Sequence, residues 1–154
     1  MFGVFFFPDM EIGGTHLVSL LRPGGRFAAT TRERSAVKPV PEILVDAMRL
    51  EGAGEPPEGS GPPTDRIGTP ETLARWLADR GLADVEVTEV PHRVPLAPGT
   101  AWAIVMGAAM RALLMGLDDA TVERVRARFT TLLAERGVDT FNATTLIGTG
   151  RAPK

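Results

Sequence analysis

The chain has 154 residues, 44% of them hydrophobic, and its 17 basic and 19 acidic residues leave a formal charge of -2 at neutral pH. That length and apolar content suit one domain with a sizeable core rather than a disordered chain, and the near balance of charge offers no electrostatic footprint for nucleic acid or an anionic membrane. With no cysteine, and with His16 and His92 far apart in the chain, disulfides, thiolate metal sites and cysteine nucleophiles are excluded, and no metal site is expected.

The chain opens MFGVFFFPDM. Asp9 and Glu11 arrive where the apolar core of an export signal would continue. The most apolar later stretch, TAWAIVMGAAMRALLMGL, is shorter than the roughly 20 residues of a membrane helix and carries Arg111. A cytoplasmic location without a membrane span is therefore expected. The run Met1 to Phe7 does not alternate, ends at Pro8, and reads as a strand covered on both faces. Ile12, His16, Leu17, Leu20 and Leu21 follow at helical spacing, and RPGG stops that helix, because Pro23 disfavours helix at Arg22 while Gly24 and Gly25 accept a tight exit. GRFAATTR is the next strand, which completes a strand, helix, strand crossover.

A helix is expected from Pro41. The stretch 51–65, rich in Gly, Pro and Glu, reads as a mobile loop, with 52–64 the least ordered internal stretch. TPETLARWLADRGL is the best-marked helix. Thr69 is its N-cap, Pro70 its first residue, Leu73, Trp76 and Leu77 its apolar face, and Gly81 its stop. ADVEVTEV alternates as a strand with one wetter face. Two helices are expected over Thr100 to Leu117 and Ala120 to Arg136, packed on each other, before a closing Thr-rich strand in DTFNATTLIGTGRAPK. Neither RPGGR nor GTGR cradles a nucleotide, since such a loop leaves a strand and enters a helix.

The order FGVFFFPDM, helix, LLRPGGRFAATT, loop, RIGTPETLARWLADRGLADVEV, helical insert, last strand resembles the C-terminal half of class I S-adenosylmethionine-dependent methyltransferases of the ubiquinone and menaquinone biosynthesis type. LRPGGR between helix and strand is the most recognisable piece. The resemblance covers nearly the whole chain, with residues 1–154 as the C-terminal part of the domain and 100–137 as a helical insert. It implies an α/β fold: a partial doubly wound, Rossmann-like sheet of about four strands with helices on both faces, the last strand antiparallel to the others. It also implies methyl transfer from S-adenosylmethionine to a small-molecule acceptor, with the N-terminal cofactor-binding half missing.

Carried over by position, Phe2, Gly3, Val4 and Phe5 correspond to the strand beside the methionine end of the cofactor, with Gly3 allowing close approach. The alternative is that all four are plain buried strand residues. Thr30, Thr31 and Arg32 stand at a strand exit, where open α/β sheets place ligands. Trp102 and Met106, with Met110 and Met115, line either an acceptor pocket or ordinary core. His16 and His92 are each a base for an acceptor hydroxyl or a packing or surface residue, and the catalytic group is unassigned. Two other functions remain open: an inactive fragment, or an interaction module whose exposed first strand pairs with a second copy or with a complementary N-terminal half.

Overall fold

A computed structural model of the chain describes residues 3–54 and 66–154. Most of the stretch expected to be a mobile loop, and Met1 and Phe2, lie outside them. The chain divides into two compact units. Unit 1 comprises Met1–Ala36, Gly61–His92 and Ala143–Lys154, and unit 2 comprises Val37–Ser60 and Arg93–Asn142.

Unit 1 is a three-stranded sheet under two helices. A 3-10 helix, Val4–Phe6, leads to α1 (Met10–Ser19), β1 (Arg26–Arg32), α3 (Pro70–Ala78), β2 (Ala83–Val90) and β5 (Thr145–Arg151). The sheet order is β1-β5-β2, with β5 antiparallel to both neighbours. The closing strand thus has the polarity expected of it.

The expected opening strand is not there. The segment closes local hydrogen bonds instead, Phe6 N–H to the Gly3 carbonyl at 3.1 Å and Phe7 N–H to the Val4 carbonyl at 3.4 Å. A strand exists only through its neighbours, and this segment pairs with no strand among the described residues. The expected sheet of about four strands is therefore a three-stranded one.

Local chemistry explains the helices. The Asp9 carboxylate accepts the Ile12 N–H at 2.7 Å and caps α1. Thr69 caps α3 by accepting the Thr72 N–H at 3.2 Å, and the Thr72 hydroxyl accepts the Thr69 N–H at 3.0 Å. This is a capping box with threonine where glutamate is usual.

One face of the sheet carries the core. Phe27, Leu146, Val85 and Val87 pack with Val4, Met10, Ile67, Leu73, Trp76, Leu77 and Leu82. Gly148 of β5 lies under α3, where an added Cβ would come within 2.6 Å of Leu77 and 3.0 Å of Leu73. By strand alternation the opposite face presents Ala28, Thr30, Ile147, Thr149, Glu86 and Thr88. The unit's core thus lies on one face of the sheet, whereas helices on both faces had been expected. The helix face also differs from the periodicity argument: α1 buries Met10 and Gly14 and leaves Ile12 and Leu20 about two thirds exposed or more, at 71% and 67%.

Unit 2 is helical, with α2 (Val40–Leu50), α4 (Pro98–Gly107), a 3-10 helix (Ala109–Leu114), α5 (Asp119–Glu135) and a two-stranded ribbon, β3 (Arg93–Pro95) with β4 (Thr140–Asn142). Asp118 caps α5, its carboxylate accepting the Thr121 N–H at 2.8 Å and hydroxyl at 2.9 Å. The core gathers Val40, Ile43, Leu44 and Ala47 of α2, Ala101 and Val105 of α4, and Val125, Phe129, Leu132 and Leu133 of α5. The helix expected over Thr100 to Leu117 breaks at Ala108, whose backbone is extended (φ -117°, ψ 178°), and tightens into the 3-10 helix beyond. Glu51 gathers Arg128 at 3.0 Å and Arg124 at 3.8 Å, and Asp46 pairs with Arg136 at 2.7 Å and Arg49 at 3.1 Å.

Candidate functional site: an arginine-lined groove

A concavity of unit 1, a groove of about 390 Å³, is lined by α1 residues Glu11 and Thr15, by Arg66, and by α3 and its exit: Thr72, Arg75, Trp76, Asp79 and Arg80. Trp76 and Arg80 are four residues apart, hence neighbours on one helical face. The Arg80 guanidinium stacks on the Trp76 ring, its Cζ 3.6 Å from the ring centroid. One guanidinium nitrogen, Nη1, donates to the Trp76 carbonyl, and Nη2 stands 3.9 Å from the Glu11 carboxylate. Only 4% of the Arg80 side chain is exposed.

Gly14 explains how α1 comes so close. A Cβ there would fall 2.6 Å from both Arg80 Nε and Trp76 Cζ2, so only glycine fits against the stacked pair. Burial pushes the Arg80 guanidinium below its ordinary value, opposed by the charges of Glu11 and Asp79. Arginine nevertheless remains cationic. Arg66 holds Glu11 in a fork, Nη2 to Oε1 at 2.6 Å and Nη1 to Oε2 at 3.3 Å. One carboxylate therefore serves two guanidinium groups. Two buried donors, Trp76 Nε1 and Arg80 Nε, meet no acceptor among the described residues. Buried polar groups are ordinarily paired, so this wall holds more donors than acceptors.

The residues singled out from the sequence lie elsewhere. Val4 is 5% exposed and belongs to the core of unit 1. A Cβ on Gly3 would meet nothing within 4 Å, so no described group makes the close approach that a glycine there would permit. Phe2 lies outside the described residues, and Phe5 is placed only by its backbone, within the 3-10 helix. Thr31 is fully buried, and neither its hydroxyl nor that of Thr30 meets a partner among the described residues.

Arg32 closes β1, and Glu33 beyond it accepts from the Ser35 N–H at 2.8 Å and from the Ser35 hydroxyl. Partial burial would raise the Glu33 carboxyl, but those bonds, with the backbone N–H groups of Arg34 and Ala36, together hold it below its ordinary range. Trp102 and Met106 belong to unit 2, Trp102 tilted 55° against Phe129 at 6.1 Å between centroids and Met106 exposed. The candidates thus divide between the units, Val4, Thr31 and Arg32 in one and Trp102 and Met106 in the other. His16 and His92 are both exposed. The groove residues do not stand out as a site in the sequence: the Trp76 to Arg80 spacing is the signal that could have found two of them, while Glu11 and Arg66 reach the groove only through tertiary packing.

The fold and groove define an α/β protein of two units, with a small antiparallel sheet and a charged concavity beside it. The family model described as "ABATE: Putative stress-induced transcription regulator" matches residues 52–149. The chain belongs to this family. That match overturns the assignment to the class I methyltransferases: the shared order of elements around LRPGGR is a succession of helices and strands and does not by itself define a family.

No curated protein matches the chain. Among solved structures it is similar to "Haemonchus contortus Phospholethanolamine N-methyltransferase 2 in complex with phosphomonomethylethanolamine and S-adenosylhomocysteine", at 10% identity and a TM-score of 0.42, over 99% of this chain and 32% of that one. The chain spans about a third of that enzyme's length. At that identity and score the likeness assigns no activity. Among the described residues, no helix is long and apolar enough to cross a membrane.

Proposed function

We propose that this chain is a regulatory domain that acts by recognising a small ligand in the groove of unit 1. Membership in a family described as a transcription regulator supports a regulatory role, and the carrying observation is the Arg80 side chain, 4% exposed yet standing in the wall of an open groove. Holding a guanidinium out of water costs free energy unless it is matched. Here the match is the Trp76 ring and carbonyl and a Glu11 carboxylate shared with Arg66, which leaves Arg80 Nε without an acceptor among the described residues.

Thermal-shift measurements with small anions, cations and neutral aromatics, on the wild type and on Arg80→Met, test the reading. The expected result is that one class raises Tm in the wild type and not in the variant. A Tm indifferent to all three classes would overturn it.

Methyl transfer from S-adenosylmethionine has less beneath it. The antiparallel β5 is the polarity that the resemblance implied, but strand polarity supplies no cofactor group. Of the positions assigned to the cofactor, Val4 is core and Gly3 has open space where a Cβ would sit, and neither observation supports a cofactor contact. For the interaction module, Val4–Phe6 is a 3-10 helix and adds no strand edge to its support. Calorimetric titration with S-adenosylmethionine separates the readings: saturable micromolar binding would favour transfer, and its absence is the expected outcome.

A further inference from the structure

The side chains lining the groove carry three positive charges, Arg66, Arg75 and Arg80, against two negative ones, Glu11 and Asp79. Their distribution matters more than their sum. Glu11 is engaged by Arg66 through two hydrogen bonds and stands 3.9 Å from Arg80, so those three sum to one positive charge, which Asp79 and Asp9 offset only in part through their charges on Arg80 while Arg75 adds another. Part of that charge is desolvated, which strengthens its field in the groove. The unpaired N–H groups of Trp76 and Arg80 add the positive ends of two further dipoles. Neither atom reaches solvent, so both act through their field. Arg75, one turn before Asp79 on α3, is exposed, lines the groove, and is ion-paired with no described residue. It is therefore the guanidinium free to make a forked contact.

We infer that the groove binds a compact oxyanion, the carboxylate or phosphate group of a small molecule, with Arg75 making the direct contact and the Arg66, Glu11 and Arg80 cluster supplying the positive wall. This rests on the ligand-recognition reading above and names its ligand class. A cation would meet a lining of net positive charge in which Glu11 is already engaged by Arg66. An uncharged ligand would leave the excess charge where it is. An oxyanion accepts from planar N–H donors in pairs, which is the geometry an arginine offers.

Trp76 provides the readout. The other tryptophan, Trp102, lies in unit 2, so a Trp102→Phe background leaves Trp76 as the sole reporter. In that background the emission of Trp76 is titrated with inorganic phosphate and separately with benzoate, against sodium chloride at matched ionic strength. Methylguanidinium and cyclohexanol serve as cationic and neutral probes. The expected result is a saturable change with phosphate or with benzoate, the responding arm identifying the source of the oxyanion, and an apparent affinity at least about tenfold weaker in Arg75→Ala.

The inference is overturned if neither oxyanion differs from chloride, or if Arg75→Ala, folded by circular dichroism, binds as the parent does. Saturable binding of methylguanidinium or cyclohexanol with silence from both oxyanions would overturn the ligand class and leave ligand recognition standing. Silence from all four probes would overturn both.

Discussion

The two units bury charge in opposite ways. In unit 2 the carboxylates of Glu51 and Asp46 and their arginine partners lie at the helix surfaces, with the guanidinium groups roughly half exposed, and the core beneath is wholly apolar. In unit 1 an arginine lies almost fully withdrawn, against a tryptophan ring and a glycine, with two N–H donors unpaired. Exposed pairs of the first kind are worth little and ask little of the fold. A withdrawn guanidinium destabilises unless something compensates it, and here the Trp76 ring and carbonyl and the Glu11 carboxylate stand against it.

Breaking the apolar core of unit 2 should have the largest effect. Phe129 is fully buried, and Phe129→Ala is expected to cost about 3–5 kcal/mol. Urea unfolding followed through Trp102, whose ring lies against Phe129, measures it in a Trp76→Phe background. A loss under about 1 kcal/mol would mean that this core is loosely packed.

Next comes Gly14→Ala in unit 1. Its Cβ must displace a tryptophan ring and a guanidinium rather than a flexible chain end, at a cost of about 1–3 kcal/mol. The Trp76 emission should shift with it. An unchanged spectrum and stability would show that α1 does not press on the Arg80 stack.

Smaller still, Thr69→Ala removes half of the capping box of α3 and should cost about 1 kcal/mol, readable in the midpoint of chemical unfolding. The groove should weaken with the cap, because α3 carries Thr72, Arg75 and Trp76.

The subtlest comparison is with pH. The Asp118 carboxyl lies below its ordinary value of 3.8, chiefly through the Thr121 N–H and next the Thr121 hydroxyl. A carboxylate depressed in the folded state contributes stability that is complete above its ordinary value and is lost as pH falls through the folded value. Acid titration should therefore loosen α5 only below that ordinary value. Asp118→Asn keeps an accepting oxygen and should flatten this part of the profile, as followed by helical circular dichroism. A profile unchanged by the substitution would show that the cap does not titrate with the helix.

How far the chain could be read without its tertiary structure differs from element to element. The helix α3 was legible because Thr69, Pro70, the spacing of Leu73, Trp76 and Leu77, and Gly81 all act within a few residues of one another. The stripe of Val125, Phe129, Leu132 and Leu133 on α5 was legible for the same reason. The face of α1 was not, because Ile12 and Leu20 are as apolar as the residues it buries and only the approach of Gly14 to the Arg80 stack decides its rotation. Residues 1–7 read as a strand on composition, yet a strand needs a partner and composition cannot supply one.

By its sequence alone, then, the chain determined the start and stop of α3, the strands β1 and β2, and the apolar stripe of α5, all of which depend on chemistry between near neighbours. Tertiary structure alone decided that β5 runs between β1 and β2, that β3 and β4 form a separate ribbon, and that Glu11, Arg66, Arg75 and Arg80 line one groove. Those outcomes join residues dozens of positions apart, and it is the closing of such distant contacts, rather than any local preference, that sets which side chains meet.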